Sequence, residues 1–175
     1  MNRKTKPDII VITGAESTGK SELTQQLARH FGAPFVAEYA REYVEKLHRP
    51  YNYADVEHIA QMQHAQMQCA ATLNCRFVFF DTWLVITKVW FEVAFGHIPA
   101  WINTAIRDTP IRLFLACDTD IPWAPQPVRE NGGEMRLMLA EKYHREIKRL
   151  GFDYKIVSGT GERRLQNALK NINLL

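Results

Sequence analysis

The chain of 175 residues predicts an α/β fold of three layers, with helices covering both faces of a central five-stranded parallel sheet. Three observations predict it. Short β-branched or aromatic runs alternate with stretches of helical period, the order that builds parallel strands joined by helical crossovers. A glycine-rich loop stands between the first strand and the first helix, where such folds hold phosphate. The hydrophobic share of 46% and the charged share of 23% are those of a globular chain long enough to bury a core, and residues 1–175 read as a single domain.

The elements follow in order. The first strand is Asp8–Thr13, whose Ile9-Ile10-Val11-Ile12 run is apolar throughout, as for a strand buried on both faces. Residues 14–21 then read Gly-Ala-Glu-Ser-Thr-Gly-Lys-Ser, a full match to the G-x-x-x-x-G-K-[ST] loop (Walker A). Leu23, Leu27 and Phe31 recur at four-residue spacing and mark the first helix. The second strand is Pro34–Ala37, leading into Glu38-Tyr39-Ala40-Arg41-Glu42. A long polar helix is expected over Tyr53–Leu73, capped by Asn52 or Asp55. The third strand, Phe77–Phe80, ends in Asp81, and Leu84, Thr87, Lys88 and Phe91 continue at helical spacing. Ile111–Cys117 is the fourth strand. Residues 118–136 carry three prolines and the Gly132-Gly133 pair with little periodicity, which predicts a stiff, hinged lid at the carboxyl edge of the sheet. A helix over Glu134–Leu150 stops at Gly151, a fifth strand is Tyr154–Val157, and a last helix runs from Glu162 towards Leu174.

Composition excludes several functions. The net charge of +3 is small and partly sits in the N-terminal tail, so no nucleic-acid partner is expected. No apolar run has the length of a membrane span, and the basic start lacks the apolar segment of a signal peptide. Cys69, Cys75 and Cys117 form no C-x-x-C pair and read as free thiols of a reducing cytoplasm. His58 and His64 sit in a polar helix without metal-ligand spacing, so no metal role is assigned to them.

The chemistry starts at the loop. Gly14, Ala15, Glu16, Ser17, Thr18 and Gly19 supply the backbone that cradles a nucleoside triphosphate. Lys20 reaches its terminal phosphates, and the Ser21 hydroxyl is a ligand for Mg²⁺. Asp81, at the end of a buried strand beside that loop, suits either Mg²⁺ binding or acceptance of a proton from an attacking hydroxyl, and it also suits a helix cap. Glu38, Tyr39 and Arg41 read equally as the wall of an acceptor pocket or as a helix start with an Arg41–Glu45 pair. Arg129, on the lid, can meet the charge of a phosphoryl-transfer transition state, and Arg136 is a second candidate beside the triphosphate. Trp90 reads as core, whereas Trp123, among the prolines, is placed to stack on a base. Arg163, after Gly159-Thr160-Gly161, either covers an adenine or belongs to a plain turn.

Taken together, the loop, Glu38-Tyr39-Ala40-Arg41-Glu42, Asp81-Thr82, Lys88-Val89-Trp90, Asp120-Ile121-Pro122-Trp123 and Arg129-Glu130 resemble the nicotinamide riboside kinase domain of bacterial NadR-type proteins, within the P-loop kinase superfamily. The resemblance runs from the first strand through Gly159 and Arg163. It implies ATP- and Mg²⁺-dependent phosphorylation of the 5′-hydroxyl of nicotinamide riboside in NAD salvage. By position, Lys20, Asp81 and Arg129 would be catalytic, and Ser21 and Asp81 would hold the metal. Glu38, Tyr39, Arg41, Asp81, Trp83 and Trp123 would line the acceptor pocket. Ala37, Trp83 and Gln126 depart from the family's pattern, so stacking on the acceptor must come from Tyr39, Trp83 or Trp123. The adenylyltransferase and DNA-binding segments of longer relatives do not fit in this length. The alternatives are a kinase of another nucleoside or sugar and a non-catalytic ATP-sensing module. None of these motifs specifies an oligomeric state.

Overall fold

A computed structural model describes residues 6–125 and 129–174. Its sheet has five strands: β1 (Asp8–Thr13), β2 (Phe35–Val36), β3 (Phe77–Asp81), β4 (Ile111–Cys117) and β5 (Tyr154–Val157). They lie in the order β2-β3-β1-β4-β5, and all neighbours pair in parallel. The helices are α1 (Lys20–Phe31), α2 (Tyr39–Lys46), α3 (Tyr53–Ala70), α4 (Leu84–Phe95), α5 (Ala100–Arg107), α6 (Gly133–Arg149) and α7 (Gly161–Ile172).

The period of two along each strand divides the core into two layers. Ile9 and Val11 of β1, Val78 and Phe80 of β3 and Phe114 of β4 face one side, where α3, α4 and α5 cover them. Ile10, Ile12, Phe77, Phe79, Leu113 and Leu115 face the other, against α1 and α7. Because both sides are covered, no position of β1 beyond its first residue is exposed, which is why its sequence reads as one apolar run. The predicted α/β class and sheet are therefore those observed.

The boundaries differ in instructive ways. Strand β2, at the edge of the sheet, keeps two of its four predicted residues: Phe35 and Val36 stand in register with β3, and Pro34 adds one bond, its carbonyl accepting from the Phe79 N–H at 3.1 Å. Strand β3 extends one residue further than predicted and takes in Asp81, whose partner in register is Ile12. The Glu38–Glu42 stretch forms α2, a helix with no wholly buried residue. Helix α5 was not predicted. It follows Pro99 and buries Ile102, Ala105 and Ile106, a stripe too short to stand out beside α4. Gln126 lies outside the described residues. Among those described, no helix is long and apolar enough to cross a membrane.

Helix α3 shows how local chemistry fixes an end. The Asn52 side chain accepts from the Asp55 N–H at 3.1 Å, and the Asp55 carboxylate accepts from the Asn52 N–H at 2.8 Å, a reciprocal capping box. Both residues named as candidate caps therefore act together. Arg49 adds two contacts to the Asp55 carboxylate, at 2.7 and 2.8 Å, and holds its pKa well below the usual carboxylate range. Replacing Asn52 with Ala is expected to destabilise the protein by about 1 kcal/mol, measured by chemical denaturation. No loss of stability would show that the box is not made in solution.

Candidate active site

The phosphate loop spans the turn from β1 to α1. Gly14 has φ +135°, and a Cβ there would lie 2.7 Å from the Cys117 carbonyl oxygen, so only glycine fits without backbone displacement. Gly19 caps α1 at φ +74°. Within the loop, the buried Lys20 ammonium donates to the Ala15 carbonyl at 2.7 Å, and the Thr18 hydroxyl donates to the same oxygen at 2.8 Å. An ammonium has three N–H donors, and a single neutral carbonyl takes only one of them, as suits a residue awaiting an anion.

Two buried arginines hold the loop from outside. Arg136 donates to the carbonyls of Glu16 at 2.9 Å, Ser17 at 3.1 Å, Ile121 at 2.7 Å and Thr119 at 3.3 Å. Arg164 donates to Thr18 at 2.5 Å and Gly159 at 2.6 Å, and pairs with the Asp120 carboxylate. Arg136 was expected beside the triphosphate; its guanidinium instead binds loop and lid backbone. Arg163, the candidate to cover an adenine, is exposed, and its neighbour Arg164 is the one that reaches the loop. One signal was available: Arg164 shares the buried stripe of α7 with Ala168, Leu169 and Ile172, a place where an unpaired cation is not tolerated.

The two candidate carboxylates occupy different positions. Asp81 is 4% exposed at the end of β3, and its Oδ1 is buried without a hydrogen-bond partner. Burial, followed by the nearby Glu38 charge, pushes its pKa up, while the Ser21 hydroxyl, Lys20 and Arg41 pull it down. Asp81 opens with Ser21 onto a recess of about 190 Å³. An unsatisfied carboxylate oxygen beside a hydroxyl is a hard donor pair that fits Mg²⁺. Among the described residues no group of three or more His, Cys, Asp or Glu is arranged for a metal, so phosphate and water oxygens would complete the shell.

Glu38 also borders that recess, but it lines a second cleft of about 190 Å³ that Asp81 does not reach. Gly14, Lys20 and Arg41 share this second cleft with Glu38, and Arg41 pairs with the Glu38 carboxylate at 3.1 Å. The cleft lining also includes Tyr51 and Trp90, ring against edge at 4.7 Å, and Leu139 and Tyr143 of α6. The aromatic wall therefore comes from residues other than those expected. Trp90, read as core, does pack against the core and also lines the cleft. Trp83, expected at the acceptor, is 1% exposed in the core, with its indole N–H donating to the Gln63 carbonyl at 3.3 Å. Tyr39 turns to α3, where its hydroxyl meets His58 Nε2 at 3.1 Å. No local pattern separates these aromatics, because helix phase relative to the sheet is set by packing.

The lid lies against the loop. Arg129 donates to Ser17 Oγ at 3.2 Å and to the Ala124 carbonyl at 2.7 Å, and it lines the cleft beside Lys20. Its Nε is buried without a partner. The Trp123 ring packs over Gly132, where a Cβ would come within 3.3 Å of it, and does not border the cleft.

Comparison with known proteins agrees with the fold. Residues 9–164 match the model of the AAA domain family. The trifunctional NAD biosynthesis/regulator protein NadR of Salmonella typhimurium is 28% identical over 131 residues, covering 72% of this chain and 32% of the relative. The chain thus spans about a third of the length of the curated relatives it matches. A crystal structure of NadR protein in complex with NR superposes with a TM-score of 0.79 at 24% identity, over 98% of this chain and 50% of that one. Thymidylate kinase from Ehrlichia chaffeensis has the same fold, with a TM-score of 0.68 at 12% identity, over 97% and 99% of the two chains.

The state of Asp81 has a measurable consequence. Folding raises its pKa, so its contribution to stability is present below the unfolded value and lost as pH rises through the folded one. At neutral pH the buried charge, whose Oδ1 has no hydrogen-bond partner, is a net cost. Asp81→Asn is therefore expected to raise Tm at neutral pH, with the gain shrinking towards pH 4 as the wild-type carboxyl protonates. A lowered Tm at neutral pH would mean that the carboxylate is paired in solution.

Proposed function

This chain belongs to the AAA domain family, and from that premise we propose that it is an ATP- and Mg²⁺-dependent kinase of nicotinamide riboside, forming nicotinamide mononucleotide. The observation that carries the reading is the single cleft whose lining includes Lys20 and Gly14 of the phosphate loop, the aromatic pair Tyr51 and Trp90, and Glu38. A nucleoside kinase needs these three things in one cleft: a face to stack the base, a polar group for the ribose and a phosphate donor. The similarity to NadR, and the NadR structure holding NR, point to the same acceptor.

In this reading the loop's N–H groups and Lys20 fix the triphosphate, and the acceptor ribose lies against Glu38 and Arg41. The 5′-hydroxyl oxygen forms its bond to the γ-phosphorus as the bond from that phosphorus to the β–γ bridging oxygen breaks. ADP leaves with that oxygen, and the hydroxyl proton passes to the Glu38 carboxylate. Arg129 meets the charge on the equatorial oxygens. Ser21 and Asp81 would hold Mg²⁺, which when bound neutralises charge on the phosphates. Glu38 takes the proton-accepting role because it borders the cleft, and Asp81 the metal role because it does not.

ADP release, assayed with MgATP and a panel of ribosides, tests the substrate. Nicotinamide riboside is expected to be preferred, and a clear preference for a purine or pyrimidine nucleoside would overturn the assignment. Lys20→Ala and Glu38→Gln are each expected to lower kcat by about 100-fold or more. Near-wild-type turnover in either variant would remove that residue from the mechanism.

A further inference from the structure

The phosphate loop carries a carboxylate, Glu16, at a position where negative charge opposes the triphosphate it is built to hold. Its side chain is directed away from the rest of the loop and onto the lid. Glu16 Oε2 accepts from the Asn131 N–H at 3.1 Å, and Oε1 accepts from Asn131 Nδ2 at 2.9 Å and from the Glu130 N–H at 3.4 Å. These acceptors engage the two residues that follow Arg129. The next loop residue, Ser17, takes the Arg129 guanidinium on its hydroxyl at 3.2 Å and the Ala124 N–H at 3.0 Å. The lid is thus tied to the loop on both sides of Arg129, and Arg129 keeps a buried Nε without a partner at the cleft that Lys20 also lines.

We propose that Glu16 is a positioning residue: its carboxylate latches the lid backbone at 130–131 and so sets Arg129 over the site of phosphoryl transfer. The latch explains why a carboxylate belongs in this loop. Charge-assisted hydrogen bonds from two backbone N–H groups and an amide hold the lid strongly, and they also draw the negative charge towards donors and away from the nucleotide. It connects the acceptor side as well, since the Tyr51 hydroxyl donates to the Glu130 carboxylate at 3.4 Å. The role rests on the kinase reading above for its effect on turnover, but the latch itself does not depend on which acceptor is used.

The test is Glu16→Gln, which keeps the shape and removes the charge, studied beside Arg129→Ala and the double variant. Hydrogen exchange with mass spectrometry, with no acceptor present, is expected to show faster exchange of the Glu130 and Asn131 amides in Glu16→Gln. Calorimetry is expected to show MgATP binding unchanged or tighter, because a negative charge has left the loop, while kcat falls about tenfold. These opposite signs separate a positioning role from simple loss of structure, which would weaken both. If Glu16 acts through Arg129, the double variant is no slower than Arg129→Ala alone. Unchanged amide exchange, kcat and ATP affinity falling together, or multiplicative losses in the double variant would each overturn the proposal. Absence of riboside turnover in the wild type would remove the kinase reading and leave the exchange result to decide the latch.

Discussion

The carbonyl oxygens of Ala15, Glu16, Ser17 and Thr18 are each bound by a cation or hydroxyl of the protein itself: Lys20 and Thr18 take the first, Arg136 the next two and Arg164 the last. A planar trans peptide points its N–H opposite to its C=O. Fixing these carbonyls therefore fixes the direction of the N–H groups that follow them, which is what turns four residues of irregular backbone into an anion site. The two guanidiniums are buried, at 6% and 3% exposure, and they are tolerable there because carbonyl dipoles and Asp120 satisfy them. Since Arg136 also binds Thr119 and Ile121, and Arg164 also binds Asp118 and Gly159, the same contacts bring the ends of β4 and β5 and the first part of the lid to the loop.

Three of the polar groups that frame leaves short of partners border the site: Asp81 Oδ1, Arg129 Nε and the Glu38 carboxylate oxygen Oε2, whose ion pair with Arg41 lacks hydrogen-bond alignment. Thr13, His64, Trp123 and His144 also keep a buried atom without a partner, whereas Gln63 is matched by Thr87 and Trp83. Unmatched buried groups cost stability, and those gathered at one site persist where a ligand completes them. Their positions around one cleft and its adjoining recess, at the carboxyl edge of the sheet, are those at which such folds place ligands.

Distance from the loop does not remove an element from the site. Helix α6 supplies Arg136 at its start and Leu139 and Tyr143 to the cleft, and it is anchored at its far end by Glu146, which Lys88 of α4 and Arg149 both engage. Lys88 is buried, so breaking this pair would leave a charge without a partner and loosen α6 against α4. The proposed acceptor wall is then shared: Trp90 from α4, Tyr143 from α6 and Tyr51 from the loop before α3.

The phosphate loop, the α/β class, four of the strands nearly to the residue and the stop of α6 at Gly151 were legible in the sequence, because each depends on neighbours in the chain: a strand's apolar run, a helix's four-residue spacing, a glycine that allows positive φ. The choice among tryptophans was not. Trp83 is the extended residue that caps α4 and is buried against α3, whereas Trp90 lies within α4, where it packs against the core and also lines the cleft. The same holds for Arg163 and Arg164, adjacent in sequence, where the rotation of α7 decides which guanidinium reaches Thr18. The sequence offers Asp81 as metal ligand or proton acceptor and Glu38 as pocket wall, but does not say which of them the cleft reaches. Tertiary structure distinguishes them, because burial and the path of the cleft are properties of elements brought together from distant parts of the chain.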